Sequence, residues 1–160
     1  MGIKLSILIP SVHTRRNTFL PNIQDAIFSQ ISTLEPHLKE QVEVIVLLDN
    51  KKRMLGSKRN DMVSMAQGEY YIMADDDDRI SPFYIRDLLN GTQTGADVIT
   101  FKAEVTINGQ EGKICTYTKD IAADYNTHDA YYRLPNHICA VKREIGIQVS
   151  FPNIKYGEDF

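Results

Sequence analysis

The chain lacks the features that would place it in a membrane, in a disulfide-stapled class or on a nucleic acid. Its two cysteines, Cys115 and Cys139, have no metal-type spacing and cannot define a disulfide framework, so a reducing cytoplasm is the expected location. The N-terminal apolar run is too short for a signal peptide or a transmembrane helix. A net charge of −3 gives no overall attraction to nucleic acid.

Two common nucleotide-binding motifs are also absent. The loop Ser11–Arg16, after the first apolar segment, has no glycine, so it carries neither the fingerprint of dinucleotide-binding domains nor the Walker phosphate loop. Hydride transfer and ATP hydrolysis of those types are therefore disfavoured. With 42% hydrophobic residues in 160, the chain is instead expected to form one soluble globular domain with a real core.

Strand and helix patterns alternate through the first ninety residues, which is typical of a parallel, doubly wound α/β sheet. Three apolar segments predict buried strands: residues 4–9, 42–48 and 69–73. Capping signals predict three helices beside them: one from Thr18 to Pro36, one from Ser57 to Gly68 and one from Ser81 to Gly91. We therefore expect an open, mostly parallel sheet flanked by helices.

The patterns in the second half of the chain are weaker. Asn108-Gly109 predicts a hairpin turn between strands over residues 104–107 and 113–118. The other elements expected there are short strands over 96–103 and 137–141 and a short helix over 144–149. This half is therefore expected to add a small antiparallel hairpin region to the parallel sheet.

Four consecutive carboxylates, Asp75 to Asp78, follow the third predicted strand directly. Aspartate is a poor strand former and adjacent like charges repel, so folding alone explains this run poorly. Clustered oxygen ligands at a strand end suit a hard divalent cation such as Mn²⁺ or Mg²⁺, which would cancel the repulsion. The alternative is a solvated acidic turn, because blocks of like charge usually lie in water.

Polar residues also follow the other two predicted strands. The loop Ser11–Arg16 follows the first strand and Asp49-Asn50 the second. Ligands of doubly wound sheets bind outside the C-terminal ends of the strands, so the three strand ends are expected to share one crevice. A nucleotide suits such a crevice, because Asp49 could accept hydrogen bonds from the base or ribose while a metal at the acidic run holds a diphosphate.

The order and spacing of five segments resemble a known family. These are residues 5–11, residues 44–50, the stretch from Ser57-Lys58-Arg59-Asn60 to Tyr70, the acidic run followed by Pro82, and the late pair Glu158-Asp159. Together they resemble the GT-A fold, Rossmann-like glycosyltransferases, specifically the family 2 group of inverting, metal-dependent enzymes that use nucleotide sugars. The resemblance covers nearly the whole chain.

The resemblance assigns roles to the acidic run. By its distance to Pro82, Asp77 lies where the family has its metal-binding carboxylate. Asp75 or Asp76 lies where a ribose-facing carboxylate is expected. The implied cofactor is therefore Mn²⁺ or Mg²⁺ at Asp77.

Further donor-binding residues follow from the other matching segments. The resemblance implies that Ser11, Asp49, Lys58 and Arg59 contact the donor, with Lys58 or Arg59 helping to neutralise the diphosphate. A solvated helix residue is the alternative for Arg59. Two positions depart from the family: Val12 stands where an aromatic residue often stacks on the base, and Asp49 stands alone where two aspartates are common.

Two candidate residues lie late in the chain. Asp159 resembles the family's catalytic base, whose alternative role is an acidic first turn at a helix N-terminus. His137, after Leu134-Pro135, resembles more loosely a position in glycosyltransferase-like proteins of bacteriophages, and it is a candidate metal ligand. The alternative for His137 is a hydrogen-bonded structural histidine.

The implied activity is that of an inverting glycosyltransferase of the hexosyltransferase type. It would move a sugar from a nucleotide sugar, with a UDP-sugar as the expected donor, to an acceptor hydroxyl on a glycan, protein, lipid or modified nucleic acid. A non-catalytic nucleotide-sugar-binding module is the main alternative. A metal-dependent nucleotidyltransferase is less favoured, because it would need a glycine-rich loop after the first strand.

The domain organisation expected from the resemblance is one GT-A domain over residues 1–160. Residues 1–91 would form the nucleotide-binding half and residues 92–160 the acceptor and catalytic half. Because Asp159 stands so close to the last residue, a domain truncated at its C-terminus is expected.

Overall fold

The computed structural model describes residues 2–107 and 110–154. Its strands, in chain order, are β1 (Leu5–Val12), β2 (Val42–Asp49), β3 (Tyr70–Met73), β4 (Val98–Ile99), β5 (Lys102–Ile107), β6 (Gln110–Tyr117), β7 (Tyr125–Asn126), β8 (Ala130–Arg133) and β9 (Ala140–Lys142). Its helices are α1 (Phe19–Thr33), α2 (Pro36–Lys39), α3 (Leu55–Met65), α4 (Tyr84–Thr92) and α5 (Arg143–Gly146), and a 3-10 turn spans His13–Arg15.

The strands form two sheets. The first sheet has the order β2-β1-β3-β9-β4, in which β1 pairs in parallel with both β2 and β3, and β9 runs antiparallel to β3 and β4. The second sheet has the order β5-β6-β8-β7 and mixes antiparallel and parallel pairs. The expected α/β architecture, with a mostly parallel sheet and a hairpin in the second half, is therefore confirmed.

Helices cover both faces of the first sheet. On one face, Ile7, Ile9 and Ile72 pack in a core with residues of α1 and α4 that include Ile23, Ile27, Ile85 and Leu88. On the other face, Leu8 and Met73 pack against Met62 and Val63 of α3. Each such side chain contributes about 1.5–3 kcal/mol when fully buried. This packing holds the ends of β1 and β3 in fixed positions.

The predicted strand over residues 96–103 was wrong as a single element. The chain forms β4 in the first sheet and then turns through Thr100 and Phe101 into β5 of the second sheet. Phe101 packs edge-on against Tyr84 with ring centroids 6.0 Å apart, which anchors the turn. The hairpin between β5 and β6 is present, while its predicted turn at Asn108-Gly109 lies outside the described residues.

Helix starts differ from the capping predictions. Helix α3 begins at Leu55, and its N-cap Met54 lies three residues before the predicted cap Ser57; α4 begins at Tyr84, after Ser81-Pro82. Thr18 does occupy the N-cap position of α1, but its side chain makes no capping hydrogen bond. No helix within the described residues has the length and apolar character needed to cross a bilayer.

Gly68 has a packing role that its predicted role as a helix stop did not include. A Cβ atom at Gly68 would lie 2.5 Å from Ser6 Oγ and 2.7 Å from the Ser6 backbone nitrogen. The Gly68 amide also donates to Ser6 Oγ at 2.8 Å. The missing side chain therefore lets the segment between α3 and β3 lie directly against β1.

Candidate donor-binding site

A cavity of about 470 Å³ opens where β1, β2 and β3 end. Its lining is mostly charged and includes Ser11, Arg15, Asp49, Lys58, Asp75, Asp76 and Asp77. The register of the sheet explains this convergence, because β1 and β2 pair until Val12 lies opposite Asp49. The three strand ends thus share one crevice, as the topology predicted.

Asp76 is the buried carboxylate of the acidic run. Ser11 Oγ donates to Asp76 Oδ2 at 2.5 Å, and Arg15 Nη1 donates to Asp76 Oδ1 at 2.5 Å. Since Asp76 is only 3% exposed, both of its oxygens are committed to protein donors. Asp76 therefore links the loop after β1 to the end of β3.

Asp77 points its carboxylate toward solvent. Its side chain is 45% exposed, and Arg15 Nη1 lies 3.1 Å from Asp77 Oδ2. An exposed carboxylate in a cavity can still bind a ligand ion, which a buried and doubly hydrogen-bonded one such as Asp76 cannot do without rearrangement. Of Asp76 and Asp77, Asp77 is therefore the one whose carboxylate a ligand in the cavity can reach.

Asp75 is paired with two basic side chains. Arg59 Nη2 lies 3.4 Å from Asp75 Oδ1, and His137 Nε2 lies 3.2 Å from Asp75 Oδ2. Burial alone would raise the pKa of Asp75, but the hydrogen bond and charge of His137 and the charge of Arg59 outweigh it and lower the pKa below its ordinary value. Asp75 is therefore held as an anion.

Arg59 and His137 are not solvated side chains. Arg59 is only 2% exposed and its guanidinium also lies 5.7 Å from the ring centre of Phe151, so the solvated alternative for Arg59 was wrong. The His137 side chain is 14% exposed and hydrogen-bonded to Asp75, as its structural alternative described. A metal-binding role for His137 and a donor-binding role for Arg59 stay predictions.

Lys58 and Asp49 form an ion pair at the base of the cavity. Lys58 Nζ lies 3.0 Å from Asp49 Oδ2 and donates to the Ser11 carbonyl oxygen at 2.7 Å. The Lys51 amide donates to Asp49 Oδ1 at 2.9 Å, in a turn where Lys51 has a positive φ of 65°. The buried ammonium of Lys58 therefore ties together the ends of β1 and β2.

Asp78 has a raised pKa because of its position in the acidic run. Desolvation, together with the negative charges of Asp75 and Asp77, raises the pKa of Asp78 to about 6. A carboxyl with this pKa is partly protonated in mildly acidic solution. The four aspartates therefore differ: Asp75 and Asp76 are hydrogen-bonded within the protein, Asp77 is exposed beside Arg15, and Asp78 has a raised pKa.

The carboxylates of the cavity could bind a metal ion only together with ligands that the protein does not supply. Among residues 2–107 and 110–154, no three His, Cys, Asp or Glu side chains are grouped so that they could hold a metal ion. Mg²⁺ is often bound through one or two carboxylates, with substrate phosphates and water completing its shell. Asp77 fits that mode of binding, in which the protein supplies few ligands.

One predicted site residue cannot be placed. The predicted base Asp159, with Glu158 before it, lies outside the described residues, so its role stays a prediction.

Arg15 was missed as a site residue, although it contacts both Asp76 and Asp77. The basic pair Arg15-Arg16 in the loop after the first strand was the available signal, but a sequence does not show which carboxylates such a pair contacts.

Comparison with known proteins gives a family and several similar structures. A sequence model described as glycosyl transferase family 2 matches residues 27–147. The crystal structure of S. aureus TarS 1-349 matches with a TM-score of 0.65 and 16% identity, over 98% of this chain and 53% of the other. Its complex with UDP-GlcNAc matches with a TM-score of 0.64 and 15% identity, over 98% and 51% of the two chains. No curated protein sequence matches the chain.

These matches establish the fold. At this level of identity the similarity to TarS shows a shared architecture, which is the GT-A fold expected from the sequence. The chain spans about half the length of TarS 1-349, and 32% of a longer TarS structure that matches with a TM-score of 0.67 and 15% identity.

Proposed function

Because the chain belongs to glycosyl transferase family 2, we propose that it transfers a sugar from a nucleotide sugar to an acceptor hydroxyl, with inversion at the anomeric carbon. The observation that carries this proposal is the charged cavity at the ends of β1, β2 and β3. A similar fold has been solved with UDP-GlcNAc, which supports a UDP-sugar as the donor.

In this proposal different cavity residues contact different parts of the donor. Asp49 is held by Lys58 and the Lys51 amide, so its position for contact with the base or ribose is fixed. Arg15, on the cavity wall, provides a guanidinium that can hydrogen-bond phosphate oxygens in two places. Asp77 would hold Mn²⁺ or Mg²⁺, which neutralises charge on the diphosphate when bound.

Inversion requires an acceptor oxygen that attacks from the face opposite the diphosphate. In the proposed step Asp159 takes the proton of the acceptor hydroxyl as that oxygen bonds to the anomeric carbon. The bond from the anomeric carbon to the phosphate oxygen breaks, and its electron pair leaves with the nucleoside diphosphate. His137 and Arg59 hold Asp75 at the side of the cavity while this occurs.

Calorimetric titration of UDP tests donor binding. We expect UDP to bind in the presence of Mn²⁺, to bind at least tenfold more weakly in EDTA, and to lose the metal-dependent part in Asp77→Ala. Asp25→Ala, at an exposed position of α1, is the matched control and should bind as the wild type does. UDP binding that ignores both Mn²⁺ and Asp77 would contradict the proposal.

Transfer or hydrolysis of a labelled UDP-sugar separates an enzyme from a binding module. We expect Asp159→Asn to keep UDP affinity and to lose turnover by about a hundredfold or more, as for the removal of a general base. A chain that binds UDP but shows no turnover with any glycan, protein, lipid or nucleic-acid acceptor would be a nucleotide-sugar-binding module instead.

A further inference from the structure

Arg15 bridges a buried carboxylate, Asp76, and an exposed one, Asp77. It ends the 3-10 turn after β1, and its Nη1 atom lies 2.5 Å from Asp76 Oδ1 and 3.1 Å from Asp77 Oδ2. Its guanidinium carbon also lies 5.2 Å from the ring centre of Phe19. A single guanidinium thus sits between the buried anion and the accessible one.

This position conflicts with a metal ion at Asp77. Arginine stays protonated at all ordinary pH values, so its charge cannot be removed to admit a second cation. A divalent ion that binds Asp77 Oδ2 would face the guanidinium 3.1 Å from the same oxygen. Either Arg15 must move away from Asp77, or the ion must bind weakly.

Arg15 is one of two donors to Asp76. Ser11 Oγ donates to the other oxygen of Asp76, so the carboxylate keeps one protein hydrogen bond when the guanidinium leaves. The Arg15 side chain is 39% exposed, which gives it room to turn toward the cavity. A diphosphate in the cavity would offer the guanidinium a second anion with good bidentate geometry.

We propose that Arg15 is a counter-cation that competes with the divalent metal for Asp77, so that metal and nucleotide diphosphate bind cooperatively. This inference rests on the proposed function and specifies a sequence of contacts. The diphosphate attracts Arg15 away from Asp77, and the metal then binds the Asp77 carboxylate. The coupling is reciprocal, so bound metal raises nucleotide affinity by the same factor that nucleotide raises metal affinity.

Mn²⁺ titration without nucleotide tests this competition. We expect Arg15→Gln to bind Mn²⁺ about tenfold more tightly than the wild type, within the usual range of coupling between sites. Arg16→Gln removes the same charge from the next residue, which is exposed and contacts His13, so it should stay within about twofold of the wild type. Arg15→Gln/Asp77→Asn should lose the gain, which locates the ion.

The same titration with UDP present completes the test. In the wild type UDP should strengthen Mn²⁺ binding about tenfold or more, and in Arg15→Gln that factor should be smaller, because only the contact between the ion and the phosphates remains to couple the two ligands. Equal Mn²⁺ affinity of wild type and Arg15→Gln without nucleotide would overturn the proposal, as would no Mn²⁺ binding by either. Thermal melts confirm that each variant is folded. Failure of the proposed function would appear separately, as absent UDP binding in the wild type.

Discussion

The first and second sheets are built from similar numbers of residues per strand but differ in how their strands are covered. In the first sheet, seven consecutive residues of β1 are buried, because parallel neighbours flank the strand and helices lie over both faces. In the second sheet, β5 alternates between exposed and half-buried positions, and both residues of β7 are exposed. More of the second sheet is therefore exposed to solvent.

The difference extends to charge. Beside the first sheet, Lys58 and Arg59 are buried and paired with aspartates at strand ends. In the second sheet, Lys113 and Arg133 lie over the ring of Tyr131 at 5.6 and 5.3 Å. Breaking a buried ion pair is strongly destabilising, so such a pair holds both side chains in place. A partly exposed cation over a ring contributes little to stability and can move.

The largest expected contrast concerns apolar truncation. Ile72→Ala, at a fully buried position of β3, should lower the free energy of unfolding by about 4 kcal/mol. Ile114→Ala in β6, where the side chain is 44% exposed, should lower it by less than about 1 kcal/mol. Urea unfolding followed by circular dichroism measures both. Equal losses would show that the second sheet is as tightly packed as the first.

A smaller contrast concerns the two lysines. Lys58→Met leaves the Asp49 carboxylate buried without its cation and should cost about 3 kcal/mol of stability. Lys113→Met, which loses only a cation–ring contact, should cost about 0.5–1 kcal/mol. The double variant Lys58→Met/Asp49→Leu should recover part of the loss. If it recovers none, Lys58 stabilises the fold mainly through the Ser11 carbonyl.

The smallest contrast concerns pH. The folded-state pKa of Asp78 is raised from 3.8 to about 6, so its stabilising contribution is present below pH 3.8 and is lost as the pH rises through 6. Asp78→Asn should therefore match the wild type near pH 3.5 and exceed it above pH 6. Because solvent still reaches this side chain and screens its charge, we expect a gain of only about 1 kcal/mol.

Thermal melts in EDTA from about pH 3.5 to 8 measure this effect, with Asp120→Asn after β6 as the control in the second sheet's region. The control should track the wild type at every pH. A melting temperature of Asp78→Asn that falls below that of the wild type above pH 6 would show that the Asp78 charge stabilises the fold.

The sequence predicted the three parallel strands of the first sheet well, because they are continuous apolar runs. A strand such as β1 that is buried on both faces can be recognised from composition alone, and three such strands with helices between them leave few topologies. The helix starts were displaced, because Ser57 and Ser81 are good capping residues whose side chains the tertiary structure does not use as caps.

The second sheet was predicted only in part. Strands β7 and β8 were missed, because Tyr125-Asn126 and residues 130–133 show no clear alternation of apolar and polar residues. Their pairing depends on contacts between strands, including Tyr125 stacked on Tyr132 with ring centroids 4.6 Å apart. Such cross-strand pairs are not visible in a single short segment.

The acidic run shows the same limit within the candidate site. Its position beside Ser11 and Asp49 followed from strand order, which a sequence pattern conveys. The separate environments of the aspartates did not, because they depend on Arg15 and His137, which lie about sixty residues before and after the run. Only the folded chain shows which carboxylate each base contacts.

The adjacency of β4 and β9 has a consequence for how the chain can vary. Ile99 pairs with Ala140, so residues 100–139 leave the first sheet and return to it at the same point. The entropy cost of closing such an excursion grows slowly with its length. Residues 102–133 can therefore be exchanged or extended without shifting the parallel strands, provided that Phe101 still packs against Tyr84 and the returning chain still brings His137 to Asp75.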